Sequence, residues 1–200
     1  MYKRQIKTCF LTSSLTFLRG LPVSDAILFI KTLKSMRAAP RLIWGQDAGF
    51  LVPEFYKTLG ANVNGILTRT TFCPALANVK PIVGKINKLY KQRTGVDLTG
   101  NEAKSFTSLH AWAYVLNNAR STKPEALRKA FNELEISGDE LIMPWKGIKF
   151  GSPFPGDTHQ NILGSGVIAQ YQGYPGGRLE VIYPFELATA KMIYPFPGWK

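Results

Sequence analysis

Residues 40–55 read PRLIWGQDAGFLVPEF, and this stretch decides the fold class. Its apolar run ends at Gly45, two polar residues follow, and Pro53 stands where proline favours the first position of a helix. The stretch therefore predicts a short buried strand over 41–44, then a turn, then a helix that ends just before Gly60. A strand followed by a turn and a helix is the repeating unit of α/β folds.

The turn after this strand carries Gln46 and Asp47, a primary amide beside a carboxylate. In open α/β sheets, ligands bind just outside the carboxyl ends of the strands. A carboxylate about 4 Å from a ligand ammonium contributes roughly 4 kcal/mol at an effective dielectric constant near 20, before desolvation. Asp47 and Gln46 are therefore candidate ligand contacts, and an ordinary polar loop is the alternative interpretation.

Strand and helix patterns alternate along the rest of the chain. Hydrophobic spacing predicts helices over 24–36, 79–93, 102–119 and 124–134, and strands over 64–72, 141–150, 162–172 and 178–187. This order predicts an α/β layered fold with a β-rich carboxyl end. The segment GYPGG, residues 173–177, joins two of these strands, so a hairpin turn explains it better than a phosphate-binding loop.

Capping residues and periodicity predict where the helices begin and which faces they bury. Ser24 and Asp25 can cap the first helix, and Thr122 with Glu125 forms a capping box for the last. In the helix over 102–119, helical spacing predicts that one set of apolar residues faces inward; these are Phe106, Leu109, Ala113 and Leu116.

The composition is that of an ordinary globular protein and argues against several classes of function. The 200 residues are 45% hydrophobic and 19% charged. The net charge of +12, from 25 basic and 13 acidic residues, is scattered without a long run of like charges, so nucleic-acid binding is not expected. No apolar stretch is long enough to span a membrane. Cys9 and Cys73 indicate neither a metal site nor a disulfide framework, and no cofactor is predicted.

The first residues, 1–23, differ from the rest of the chain. Cations but no acids occur in the first twenty residues, and apolar residues follow the basic start. This pattern of charge followed by apolar residues resembles a secretory signal peptide. Hydroxyl residues interrupt the apolar part, however, and no small-x-small cleavage site follows. We expect neither a convincing signal peptide nor the first strand of a domain in this segment.

Several stretches, taken together and in order, resemble one family. They are SDAILFIKTLK (24–34), WGQDAGFLVPEF (44–55), GILTRTTFCP (65–74), LYKQRTG (89–95), GDELIMPWKGIKF (138–150) and YPFELATAK (183–191). The chain is similar to the branched-chain amino-acid type of ABC-transporter substrate-binding protein, the leucine-binding family. The likeness covers residues 24–200, whereas residues 1–23 do not correspond to family sequence, as a truncated or shifted reading frame would produce.

The resemblance implies an α/β fold of the type I periplasmic-binding-protein kind, with doubly wound sheets and crossover strands. Family members are about twice as long and have two lobes that close over a ligand. The chain would then be a carboxyl-terminal portion, with an incomplete two-lobed fold. Residues 24–71 would belong to the carboxyl lobe, 72–150 to the amino lobe, and 151–200 to returning strands and the tail.

The resemblance also assigns roles to the candidate site. An acidic residue in the matching turn of leucine-binding proteins holds the ligand α-ammonium, which implies that role for Asp47, with Gln46 beside it. A family tyrosine expected just upstream of Ser24 is absent, and the groups that grip the ligand carboxylate belong to the part of the family fold that this chain lacks. Aspartate is also shorter than the family glutamate, so the match is imperfect.

The function implied is a non-enzymatic one. The chain would be a fragment of a periplasmic solute-binding component that captures an amino acid or a related small amide or carboxylate and delivers it to a membrane permease. A ligand-sensing module of a receptor with the same fold is the alternative. An enzyme ranks last, because the sequence offers no nucleophile–base pair.

Overall fold

The computed structural model describes residues 15–19, 21–46, 48–154 and 160–199. The chain divides into two compact units, and two crossings connect them. Unit 1 is Met1–Thr70 with Val167–Lys200, and unit 2 is Thr71–Gly166. The α/β fold class predicted from the sequence is confirmed. The assignment of the two units to the lobes of a family member remains a prediction.

The described residues of unit 1 form a mixed sheet and two α-helices. Its strands in chain order are β1 (Leu15–Arg19), β2 (Leu42–Gln46), β3 (Leu67–Thr70), β7 (Val167–Gln172) and β8 (Arg178–Tyr183). Within the described residues they form one sheet in the order β1-β2-β3-β7-β8. The first three strands run parallel, and β7 and β8 are antiparallel to their neighbours. The GYPGG segment is the predicted hairpin turn between β7 and β8.

Strand β1 was not expected from the sequence. Leu15–Arg19 pairs in parallel with β2, from Leu15 opposite Leu42 to Arg19 opposite Gln46. The hydroxyl residues that make the segment a poor signal peptide also hide its strand character, because threonine is compatible with a strand but adds little to a hydrophobic pattern. The prediction that no strand occurs before residue 24 was therefore wrong.

Helix α1 (Val23–Ser35) joins β1 to β2, and helix α2 (Pro53–Leu59) follows β2. The predicted start of α2 at Pro53 and its end at Gly60 are confirmed. The predicted caps of α1 were wrong, since the helix begins before Ser24 and neither hydroxyl nor carboxylate caps it. Asp25 instead lies in the first turn, where its negative charge favours the positive end of the helix dipole.

The core of unit 1 lies between these helices and the sheet. It contains residues from α1, β2, the segment after β2, α2, the segment between α2 and β3, β7 and the carboxyl-terminal segment, namely Ala26, Ile27, Ile30, Leu33, Ile43, Phe50, Phe55, Leu59, Val63, Ile66, Tyr171 and Phe196. Burial of each large side chain in this cluster contributes about 2 kcal/mol to the stability of the unit. The downstream part of the segment that follows Gln46 is thus packed into this core.

In unit 2, the described residues form three α-helices and a small antiparallel sheet. The helices are α3 (Pro81–Thr94), α4 (Gly100–Ala119) and α5 (Pro124–Asn132), and the strands are β4 (Glu135–Ser137), β5 (Gly147–Gly151) and β6 (Gln160–Asn161). In the described residues the strand order is β4-β5-β6. The predicted capping box of α5 at Thr122 and Glu125 is absent, and α4 has a capping box formed by Thr99 and Glu102.

The predicted inward face of α4 was wrong. Its buried positions are Ala103, Thr107, Ala111 and Val115, which lie on the opposite side of the helix from the predicted set. Large apolar residues on the other side are exposed; these are Phe106 (38%), Leu109 (71%) and Leu116 (45%). Small residues let α4 approach its neighbours closely, so packing distance rather than hydrophobicity selects the buried face.

Paired alanine substitutions in α4 distinguish the two faces. We expect Val115→Ala to lower the free energy of unfolding by about 2 kcal/mol, because Val115 is fully buried and its removal leaves a cavity. Leu109→Ala removes a larger side chain, but its effect is expected to stay within about 0.5 kcal/mol because that side chain is mostly exposed. Urea denaturation measures both, and the reverse order of effects would contradict the observed face.

Candidate functional site

The carboxyl ends of three parallel strands meet at one edge of the sheet of unit 1. Strand β1 ends at Arg19, β2 at Gln46 and β3 at Thr70. Gln46 pairs with Arg19 on one side and with Arg69 on the other. The predicted strand is confirmed, but it ends at Gln46 rather than at Trp44, so Gln46 is its last residue and not part of the following turn. This position is the edge at which open α/β sheets bind ligands.

Gln46 is the candidate residue that can be located, whereas Asp47 lies outside the described residues. Along β2, Ile43 and Gly45 are buried and Gln46 is half-buried. Because strand side chains alternate between faces, the Gln46 side chain points away from the face that Ile43 packs into the core. A glutamine amide carries two N–H donors and a carbonyl acceptor, the groups that hydrogen-bond to a polar ligand.

Two glycines on either side of the Gln46 turn are required by close backbone packing. A Cβ atom on Gly45 would lie 2.2 Å from Cδ1 of Phe50. A Cβ atom on Gly49 would lie 2.6 Å from the carbonyl oxygen of Leu21, which accepts a 3.0 Å hydrogen bond from the Gly49 N–H. Only glycine permits approaches this close. The backbone before and after the turn is therefore held in place.

A tyrosine from β7 anchors the far end of the same turn. The Tyr171 hydroxyl donates to the carbonyl oxygen of Phe50 at 2.5 Å, and Tyr171 is only 1% exposed. The Phe55 ring lies 5.2 Å from the Phe50 ring and 5.9 Å from the Tyr171 ring. A buried hydrogen bond of this kind contributes about 1 kcal/mol. The segment that follows Gln46 is thus tied both to its own helix and to a strand distant in sequence.

Tyr174 extends this aromatic cluster and has a perturbed pKa. Its ring lies 5.4 Å from Tyr171 and 5.4 Å from Tyr56. Burial, with a smaller contribution from Tyr56, raises the pKa of Tyr174 to about 12 from its ordinary 10.0. The backbone of Tyr174 is held separately, because its N–H donates to Asn64 Oδ1 at 2.8 Å. Removal of the hydroxyl should therefore leave the backbone in place.

The raised pKa of Tyr174 predicts a loss of stability in alkali. Between pH 10 and 12 the folded chain keeps a proton that the unfolded chain releases, so stability falls as the pH rises through this window. We expect Tyr174→Phe to make the decline of Tm between pH 10 and 11.5 shallower and to remove from the absorbance at 295 nm one phenol that titrates near pH 12. An unchanged Tm profile and an unchanged titration would contradict the assignment.

One charged residue at this edge was not predicted from the sequence. Arg69 is exposed and lies in β3, in register with Gln46. In the sequence it is the one cation inside an apolar, β-branched strand pattern, NGILTRTTF, and that interruption was the available signal. Neighbouring in-register residues point to the same face of a sheet. Arg69 and Gln46 therefore form a pair of polar side chains at the carboxyl edge.

Unit 2 contains a half-buried cation and an apolar groove. Lys80 Nζ donates to the carbonyl oxygens of Gly138 at 2.8 Å and of Met143 at 2.7 Å. Burial lowers the pKa of Lys80, and the nearby Asp139 carboxylate opposes this effect. An open groove of about 610 Å³ is lined by Pro124, Leu127, Arg128, Phe131, Asn132 and Phe150. Lys80 serves the local fold, since its ammonium is committed to two backbone oxygens.

The described residues contain neither a metal-binding cluster nor a membrane-spanning helix. Among these residues, no group of three or more histidine, cysteine, aspartate or glutamate side chains is arranged to hold a metal ion. Within the same residues, no helix has both the length and the apolar character needed to cross a bilayer.

Comparison with known proteins gives matches only among solved structures. No protein-family model and no curated protein matches the chain. A putative branched-chain amino acid ABC transporter from Silicibacter pomeroyi is 17% identical, with a TM-score of 0.75 over 98% of this chain and 50% of its own. A leucine binding protein from Thermotoga maritima is 18% identical, with a TM-score of 0.66 over 92% of this chain and 49% of its own.

A third structure differs in the ligand for which it is named. A fatty acid ABC transporter substrate-binding protein from Thermomonospora curvata is 15% identical, with a TM-score of 0.64 over 98% of this chain and 49% of its own. The chain thus spans about half the length of the structures it matches. At these identities the matches show the fold, and they confirm the type I periplasmic-binding-protein fold predicted from the sequence, in incomplete form.

Proposed function

We propose that this chain is part of an extracytoplasmic solute-binding component of an ABC importer. The chain has the type I periplasmic-binding-protein fold over about half the length of the structures it matches. The ligand proposed is a branched-chain or other amino acid, or a related small amide or carboxylate. The observation that carries the proposal is Gln46. Its half-buried side chain lies where three parallel strands of the sheet end, and close packing requires glycine at positions 45 and 49.

Two adjacent residues are assigned to the ligand. Asp47 binds the α-ammonium through its carboxylate, and Gln46 donates to or accepts from the polar end of the ligand. The side chains of a strand end and its turn can approach one small molecule together, because they are separated by a single peptide unit. The names of the matched structures support this class of ligand, since they include leucine, branched-chain amino acids and fatty acids.

The proposed cellular role follows from the same fold. A solute-binding component releases its ligand to a membrane permease, and we propose the periplasm as the location of the full-length protein. Neither nucleic acid nor a cofactor takes part in this role. Binding changes the conformation of such a protein only if the ligand contacts one conformation better than the other.

The affinity of the chain alone is expected to be low. A small ligand gains affinity when most of its surface is enclosed, and the edge of unit 1 supplies only part of an enclosing wall. Dissociation constants in the millimolar range, which correspond to about 4 kcal/mol of binding free energy, are therefore expected. Methods that detect weak binding are needed.

Saturation-transfer NMR on the purified chain tests the proposed function. The ligands are L-leucine, L-valine and octanoate, with D-glucose as a compound of another class. We expect transfer to the amino acids or to the fatty acid and none to glucose, with weaker transfer for Gln46→Ala. Equal signals from all compounds, or none from any carboxylate, would contradict the proposal.

A further inference from the structure

One side of helix α4 carries large apolar side chains that remain exposed. Phe106, Leu109, Trp112 and Leu116, which we call the α4 stripe, lie on the side of the helix opposite its buried positions. From Ser105 to Ala119 the helix has no aspartate, glutamate, lysine or arginine, although the chain carries a net charge of +12. A contiguous apolar face without charges is typical of an interaction surface.

The residues of this face are arranged symmetrically about position 111. Leu109 and Ala113 lie two residues before and after it, and Phe106 and Leu116 lie five residues before and after it. When two identical helices pack antiparallel about a twofold axis, residue i contacts residue j and residue j contacts residue i. An axis at position 111 therefore places Leu109 opposite the small Ala113 of the second copy, and Phe106 opposite its Leu116.

The polar residues at the ends of the same face are also complementary. Ser105 and Asn117 lie six residues from position 111, and Glu102 and Arg120 lie nine residues from it. Arg120 is exposed at the end of the helix, and the hydrogen bonds that Glu102 accepts from Thr99 both use its Oε2. Helices that cross at about 20° keep their ends within reach of long side chains. Each carboxylate would thus meet the guanidinium of the other copy, and this charge complementarity favours a second copy as the partner.

We infer that two copies of the chain form a dimer in solution, in which their α4 stripes pack antiparallel about a twofold axis at position 111. The inference does not depend on the proposed ligand or on the carboxyl edge of unit 1. One pair of helices is at the low end of interface sizes, so a dissociation constant of about 10 µM is expected.

Sedimentation velocity tests whether the dimer forms. The 22.3 kDa chain is measured from about 1 to 200 µM in about 0.15 M NaCl, which screens the repulsion between two positively charged copies. We expect a reversible change from monomer to twice that mass near 10 µM. Leu109→Lys should weaken the dimer at least about 100-fold, because it would place an unpaired cation at the centre of the interface.

The matched control is Leu28→Lys. Leu28 is 64% exposed in helix α1, and the same substitution adds the same charge away from the α4 stripe. This variant should dimerise like wild type, which separates the loss of a local contact from a change in net charge. Circular dichroism at about 1 µM, where the chain is monomeric, checks that both variants are folded.

Disulfide cross-linking tests the twofold arrangement without disturbing the interface. Cys73 is buried, and a Cys9→Ser background removes the other native thiol. A mixture of Leu109→Cys and Ala113→Cys chains should form the mixed disulfide rapidly under mild oxidation, because these positions face each other across the axis. A mixture of Leu109→Cys and Phe106→Cys chains should form little, because position 106 lies about 10 Å along the helix from position 113.

Three results would overturn the inference. A chain that stays monomeric at about 200 µM would leave the α4 stripe to another partner, such as the part of the fold that this chain lacks. A dimer that persists in Leu109→Lys, or is lost equally in Leu28→Lys, would form through another surface. Equal cross-linking of the two cysteine mixtures would exclude the twofold axis at position 111, and this test holds even if Leu109→Lys does not fold.

Discussion

Alanine in place of Gly45 is expected to prevent unit 1 from folding stably. The new methyl group would lie 2.2–2.4 Å from three atoms of the Phe50 ring, which is itself fully buried. The ring cannot move away, because the Tyr171 hydroxyl holds the Phe50 carbonyl and Phe55 packs against the ring. Overpacking of a core usually costs about 1–3 kcal/mol, and approaches as short as these place the substitution at or above about 3 kcal/mol, a large share of the 5–15 kcal/mol that stabilises a typical domain.

Gly84→Ala is the matched control for this substitution. Gly84 lies within helix α3, and a Cβ atom there would make an ordinary 3.5 Å contact with Ala77. Alanine is favoured over glycine inside a helix, so this variant should gain about 0.5–1 kcal/mol. Urea denaturation followed by circular dichroism compares the two. Equal midpoints for Gly45→Ala and wild type would show that Phe50 does not lie against Gly45.

Asp47→Asn is expected to produce the largest loss of ligand affinity. Our proposal gives Asp47 the ligand ammonium, and the substitution removes the charge while it preserves the size of the side chain. An ion pair of roughly 4 kcal/mol, reduced by desolvation to about 2 kcal/mol, corresponds to about a 30-fold weaker complex with L-leucine. NMR titration measures this change directly.

Isovalerate provides the control ligand for Asp47→Asn. It has the aliphatic chain and carboxylate of leucine-like ligands but no ammonium, so its affinity should be the same for wild type and for the variant. A parallel loss for both ligands would mean that the substitution disturbs the turn rather than an ion pair. Unchanged binding of L-leucine would remove Asp47 from the site.

The strand that precedes the Gln46 turn could be predicted because it depends on local sequence, although its end was placed at Trp44 rather than at Gln46. A run of apolar residues, a glycine and a proline four to eight positions later define a strand, a turn and a helix without reference to distant parts of the chain. The helix from Pro53 to its end at Gly60 was predicted for the same reason. The ligand roles of Gln46 and Asp47 remain predictions.

The neighbours of Arg69 across the sheet could not be predicted, because they depend on pairing between strands that are distant in sequence. Arg69 and Ile168 are neighbours only because β3 pairs with β7 after the whole of unit 2 has intervened. A shift of one residue in that register would move Ile168 to the other face of the sheet. No pattern within either strand specifies the partner or the register.

The face of α4 was predicted incorrectly for a different physical reason. Both sides of this helix carry apolar residues, and hydrophobic spacing favours the side with the larger ones. The described structure buries Ala111 and Val115 against α5 and β4 and exposes Leu109. A helix that is apolar on both sides gives an ambiguous pattern, and only its neighbours decide which side is covered.

The central claim is that the carboxyl edge of unit 1 is a ligand site, and an amide-resolved NMR titration tests it most directly. Uniformly ¹⁵N-labelled chain is titrated with L-leucine to about 20 mM, a range chosen for millimolar affinity. Our account predicts saturable shifts confined to the backbone amides of residues 45–50 and 68–70. Shifts that cluster instead around the groove lined by Leu127, Phe131 and Phe150, or no saturable shift at all, would contradict it.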